Sequence, residues 1–172
     1  MIRCLNRRLF VQGTIAAGAA ASRGIPETRA AEVASAVLIG PVFDLVIAEM
    51  AVNIMGRNAI ATAVNGQVPG PTLIWREGEN VTINVTNRLR ETTSIHWHGI
   101  NPPALMDGVP GVSFAGIAPG TTYTYRIPVS QSGTYWYHSH SGLQEPAGFY
   151  GPLIVAPRKP PPFRSGMIAN IS

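Results

Sequence analysis

Cysteine is almost missing from this chain: Cys4 is the single one in 172 residues. No disulfide can close within the chain, so its stability has to come from a packed core. Charge is scarce as well, with 13% charged residues where a soluble domain usually carries about 25%. No apolar run reaches the length of about 20 residues that spans a bilayer. The excess of basic residues is local. Arg3, Arg7, Arg8, Arg23 and Arg29 precede residue 37, against Glu27 and Glu32, and the remainder has eight basic and seven acidic residues. A nearly neutral body with no basic patch interleaved with aromatics speaks against a nucleic-acid partner.

Histidine is equally sparse, and its placement is the most informative feature of the sequence. All four lie between residues 96 and 140, as His96-Trp97-His98 and His138-Ser139-His140. Along an extended strand side chains alternate, so residues two apart share a face with Cα atoms about 6.5–7 Å apart. Each pair therefore presents two imidazoles side by side. If the two strands are neighbours, His96, His98, His138 and His140 converge on one spot. Neutral nitrogen donors suit copper, zinc, iron or nickel, whereas magnesium and calcium call for oxygen. The flanking runs Thr93-Ser94-Ile95 and Gly133-Thr134-Tyr135-Trp136-Tyr137 are β-formers, as strands carrying such pairs require.

Elsewhere the chain reads as short strands between turns, with 18 glycines and 15 prolines in the sequence. Val42 to Met50 places Phe43, Leu45 and Ile47 on one face. Ile60 to Val64, Thr72 to Arg76, Val81 to Val85, Thr121 to Val129 and Leu153 to Val155 follow, separated by Asn65-Gly66, Val68-Pro69-Gly70-Pro71 and Glu77-Gly78-Glu79-Asn80. Proline-bearing loops of this kind cannot continue a strand. The pattern predicts a single all-β domain, a sandwich, over residues 42–157. Beyond it, Arg158 to Ser172 is a Pro-rich tail expected to be an extended linker or a disordered end.

At the other end Asn6-Arg7-Arg8-Leu9-Phe10-Val11-Gln12 sets an arginine pair before a weakly apolar run, Gly13 to Ala21, and Ala34-Ser35-Ala36 offers a small-residue cleavage site. Residues 1–36 thus resemble a twin-arginine signal peptide, which implies export to the periplasm. Cleavage there removes Cys4 and leaves no thiolate for a metal.

Four segments carry a family resemblance: Val64-Asn65-Gly66 with Pro69-Gly70-Pro71-Thr72, Ser94-Ile95-His96-Trp97-His98-Gly99, Met106-Asp107-Gly108-Val109-Pro110-Gly111, and Gly133 to Gly142 around the second His pair. In this order they resemble the first, cupredoxin-type domain of the multicopper oxidases, above all the laccase-like bacterial copper-resistance oxidases, from about Phe43 to Pro157. The resemblance implies a Greek-key β-sandwich of the cupredoxin (plastocyanin-like) kind and copper as cofactor. In that family eight histidines from two domains hold a trinuclear cluster that reduces dioxygen to water. His96 matches the type 2 ligand, and His98, His138 and His140 match ligands of the type 3 pair. Asp107 matches an outer acid that assists proton delivery; from the residues alone it is equally a turn-forming Asp before Gly108.

The resemblance is incomplete. The family's H-x-x-H-x-H and H-C-H segments, which complete the cluster and build the type 1 copper that accepts electrons, are not in these 172 residues. The partners expected are therefore copper ions, dioxygen in a complete enzyme, and the cupredoxin domains that carry those segments. Three readings follow: a copper-oxidase domain inactive alone, a stand-alone periplasmic module that sequesters copper, or an oxidase completed by a partner chain.

Overall fold

The computed structural model describes residues 36–159. Apart from Ala36, the segment read as a signal peptide lies outside the described residues, as do Cys4 and the tail beyond Lys159. Among the described residues nine strands form two sheets: β1 (Val37–Ile39), β2 (Val42–Ile54), β3 (Arg57–Val64), β4 (Thr72–Arg76), β5 (Asn80–Asn87), β6 (His96–His98), β7 (Thr122–Pro128), β8 (Gly133–His138) and β9 (Tyr150–Ala156). One sheet runs β1-β4-β9-β8-β6 and the other β3-β2-β5-β7. The chain passes repeatedly from one sheet to the other, so β2 lies parallel to β5 and β4 parallel to β9, while hairpin neighbours such as β8 and β9 run antiparallel. This is the all-β sandwich that the alternating pattern predicts, with the Greek-key order that the family resemblance implies.

The inner faces supply the core. Phe43, Leu45 and Ile47 of β2 and Val81, Ile83 and Val85 of β5 face Leu73 and Trp75 of β4 and Leu153 and Val155 of β9, all buried. Strict alternation along β5, with every second residue buried, is what a strand with one wet face gives.

Two elements differ from the sequence reading. Strand pairing begins at Val37, where β1 joins β4 in parallel, ahead of Val42. The β2–β3 hairpin continues well past Met50, with Ala48 opposite Ala63 out to Ile54 opposite Arg57. It turns at Met55 (φ 52°) and Gly56 (φ 83°), the two left-handed residues of a tight hairpin. This outer part projects beyond the core, and Ile54, Met55 and Ile60 are exposed. With neither face buried there is no alternation to read, so the extension is silent in the sequence.

Candidate metal centre

Strand β6 lies antiparallel to β8 at the edge of the five-stranded sheet. His96 stands opposite His138, Trp97 opposite Tyr137, and His98 opposite Trp136. Residues directly opposite share a face, so the register itself sorts the side chains. Trp97 and Tyr137 point inward and are fully buried, with ring centroids 6.1 Å apart, and Trp97 also packs edge-on against Tyr125 at 5.3 Å. His96, His98, Trp136 and His138 point outward. Ile95, fully buried, completes the inner face as alternation requires. Tyr137 donates from its hydroxyl to Pro71 O at 2.8 Å, and burial pushes its phenol up so that it remains a donor.

The strand ends at His138, and Ser139 and His140 lie beyond it. His140 nevertheless reaches the same side, because its ring packs on those of His96 and His138. Ring centroids of His96 and His140 are 4.7 Å apart, those of His138 and His140 4.9 Å, and those of His96 and His138 5.5 Å. His96, His138 and His140 can each offer one ring nitrogen within 4.8 Å of the others. His98 stands beside this trio, with its Nδ1 3.3 Å from Nε2 of His138. The contact joins the two rings, and one of the two nitrogens would have to give up its proton for both to hold a metal. The four-way convergence read from the sequence thus takes the form of a trio plus a fourth ring joined to it through His138.

The two strands orient their rings by different means. His96 Nδ1 is 2.8 Å from the backbone oxygen of Asp107, and the Asp107 carboxylate is 3.4 Å from the same nitrogen. The Asp107 loop approaches this closely because Gly108, at φ +79°, lies against the Ile95 carbonyl where any Cβ would collide. Asp107, singled out in the sequence, is therefore beside His96. His138 Nδ1 instead faces Glu145 Oε2 at 2.6 Å, with Ser139 O farther away at 3.2 Å, and Trp136 is stacked on its ring at 4.0 Å, 14° from parallel.

Below the second pair runs a buried polar network. Thr93 and Ser139 both donate to Gln144 Oε1, at 2.6 and 2.9 Å. Gln144 Nε2 donates to Glu91 at 2.8 Å and to Thr92 O at 3.1 Å. Ser94 accepts from the His140 backbone N–H at 3.1 Å and contacts the Ser141 hydroxyl at 2.9 Å. Loss of hydration is the main force on both imidazoles, on His138 because it is buried and on His140 because its ring packs on those of His96 and His138 although the residue as a whole is exposed, and it holds both below the ordinary histidine range. At neutral pH they are therefore unprotonated, the form that binds a metal.

Sequence reasoning missed Glu145, Gln144 and Trp136. Trp136 was within reach, because it lies two residues before His138 on the same strand and so on the same face. Glu145 and Gln144 belong to the turn after His140, which has no periodicity to place them.

Comparison with known proteins identifies the family of this sandwich. The family model described as "Multicopper oxidase" matches residues 46–160. The chain is 55% identical over 163 residues to copper resistance protein A of Pseudomonas syringae pv. tomato, covering 92% of this chain and 27% of that protein. It is 52% identical over 167 residues to copper resistance protein A of Escherichia coli, covering 95% and 28%. It thus spans little more than a quarter of the length of these curated relatives. Among solved structures, the blue copper oxidase of Nitrosomonas europaea superposes with a TM-score of 0.66 at 41% identity, over 70% of this chain and 40% of that one. The resemblance seen in the motifs extends to the cupredoxin-type sandwich. Copper is the metal this family implies, and the neutral nitrogen donors suit it. The chain belongs to the multicopper oxidase family and is related to the bacterial copper resistance proteins.

Proposed function

We propose that this chain is the copper-binding N-terminal domain of a periplasmic multicopper oxidase of copper resistance, and that it supplies half the ligands of a trinuclear copper cluster. The observation that carries the reading is the opposition of His96 and His138 across β6 and β8, with His140 completing a trio of ring nitrogens within 4.8 Å and His98 3.3 Å from His138. In this reading His96 holds the type 2 ion, and His98, His138 and His140 hold the type 3 pair. Bound copper supplies one-electron redox chemistry toward dioxygen.

The chain's own residues have the remaining roles. Loss of hydration keeps His138 and His140 unprotonated, and Trp136 covers one face of the His138 ring. Asp107, with its carboxylate 3.4 Å from His96 Nδ1, is placed to hold a proton at the rim of the site. Arg7 and Arg8 direct export, 1–36 is the signal peptide, and 42–157 is the cupredoxin-like domain. Among the described residues no helix is long and apolar enough to cross a membrane.

Electron uptake is the part this chain cannot perform alone. A blue-copper centre needs a cysteine thiolate with two histidines, and Cys4 is the one cysteine present, far in sequence from every histidine. The chain by itself is accordingly inactive as an oxidase, and further cupredoxin domains supply the H-C-H segment and the remaining histidines. Oxygen consumption by the copper-loaded chain with a phenolic substrate tests this. No turnover is expected; steady turnover that His98→Ala abolishes would overturn the proposal.

A further inference from the structure

We propose that Glu145 is a positioning residue for the copper site, fixing the His138 ring so that its Nε2 lone pair faces the metal. The inference rests on the copper-binding reading above and adds to it a residue outside the histidine motifs.

A neutral imidazole has one N–H and one lone pair, and only the nitrogen with the lone pair can bind a metal. For His138 the structure decides which is which. Nδ1 lies 2.6 Å from Glu145 Oε2, and an ionised carboxylate can only accept, so Nδ1 carries the proton. Nε2 then holds the lone pair, directed at His98 Nδ1 at 3.3 Å. A charge-assisted hydrogen bond of this length is roughly twice as strong as a neutral one, which favours Glu145 over the Ser139 carbonyl at 3.2 Å. A carboxylate behind a ligating imidazole also makes the opposite nitrogen a better donor.

The turn that carries Glu145 is built to hold it there. Gln144 and Phe149 are buried on either side, Gly148 N–H donates to Glu145 O at 2.9 Å, Phe149 N–H to Gln144 O at 2.9 Å, and Ala147 N–H to Leu143 O at 3.1 Å. The Glu145 side chain itself is 43% exposed, so no packing demand explains its contact with a buried histidine, and removing it leaves the core intact. His96 has its Nδ1 against the backbone oxygen of Asp107; Glu145 gives His138 through a side chain what His96 receives from the main chain.

The test uses the full 172-residue chain and its Glu145→Ala and Glu145→Gln variants. In metal-free protein, at a pH where the ring is neutral, ¹⁵N spectra of His138 should show the Nδ1–H tautomer in the native chain and in Glu145→Gln, whose amide oxygen still accepts, but a mixture in Glu145→Ala. Competitive titration with copper should show affinity lower by about 10–100-fold in Glu145→Ala, the range for lost support of a metal-bound histidine, with Glu145→Gln between that and native. Native affinity in Glu145→Ala overturns the proposal. So does weakened affinity with the tautomer unmoved, because Glu145 would then act by its charge or as a ligand itself. Failure of the native chain to take up copper would instead refute the copper-binding reading, and the tautomer would still report whether Glu145 sets the ring.

Discussion

His96 and His98 ride on one strand with Trp97 buried between them, whereas His138 ends a strand and His140 lies beyond it. The two pairs have the same spacing in sequence and different supports. The first half of the site rests on main chain and core: β6 is fixed by Trp97 beneath it, and His96 is oriented by the backbone oxygen of Asp107. The second half rests on polar side chains: Gln144 ties down Ser139, Ser94 holds the His140 backbone, and Glu145 sets His138. A metal pair written as His-x-His can therefore be built from packing or from hydrogen bonds, and the two constructions should fail differently.

The largest effect is expected from the packed half. Trp97 is fully buried against Trp75, Tyr125 and Tyr137, and truncation of such a residue costs about 3–5 kcal/mol. Trp97→Ala should lower the denaturant midpoint of the whole domain, and copper binding should fall with it. A variant with native stability but lost copper would show that Trp97 serves the site rather than the core.

Next comes the polar half. Gln144→Ala leaves the hydroxyls of Thr93 and Ser139 without their shared acceptor, at about 1–3 kcal/mol for the unsatisfied groups. Thermal unfolding should show that smaller loss, and copper affinity should fall more steeply than in Trp97 variants of equal stability, because the segment bearing His140 loses its anchor.

Acid should act on the same half. His138 and His140 are held below the ordinary histidine range, loss of hydration being the largest cause for each. The unfolded chain therefore takes up more protons than the folded one as pH falls through the usual histidine value of about 6.5, and metal-free stability declines there. Above that value the stability should be flat with respect to these two groups. Urea melts across this range check the direction, and replacing His138 and His140 with Gln should flatten the slope.

The smallest effect is expected at Asp107. Its backbone oxygen, at 2.8 Å, orients His96, while the carboxylate is more distant at 3.4 Å. Asp107→Asn should therefore leave copper affinity within a few-fold of native in an equilibrium titration. A loss as large as that of a ligand would mean that the side chain, not the main chain, holds this half together.

The sequence disclosed the first half better than the second for a physical reason. Alternation in a strand is a strong local rule, so Ile95, His96, Trp97 and His98 take their sides from pattern alone, as do Phe43, Leu45 and Ile47 in β2. The second pair obeys the rule only as far as His138. Past that point the direction of His140 depends on the bond from its backbone to Ser94 and on the bond from Thr93 to Gln144, which join residues some fifty positions apart, and no local pattern encodes them. Likewise the projecting tip of the β2–β3 hairpin buries neither face and left nothing to read between Met50 and Ile60.

The central claim, that these four histidines together hold copper, is tested most directly by equilibrium copper titration of the 172-residue chain against a variant with His96, His98, His138 and His140 all replaced by alanine. The native chain should bind copper with an affinity that each single His→Ala change lowers beyond the 10–100-fold expected for an outer residue, and the quadruple variant should lose the site. Copper held as tightly by the quadruple variant as by the native chain would contradict it.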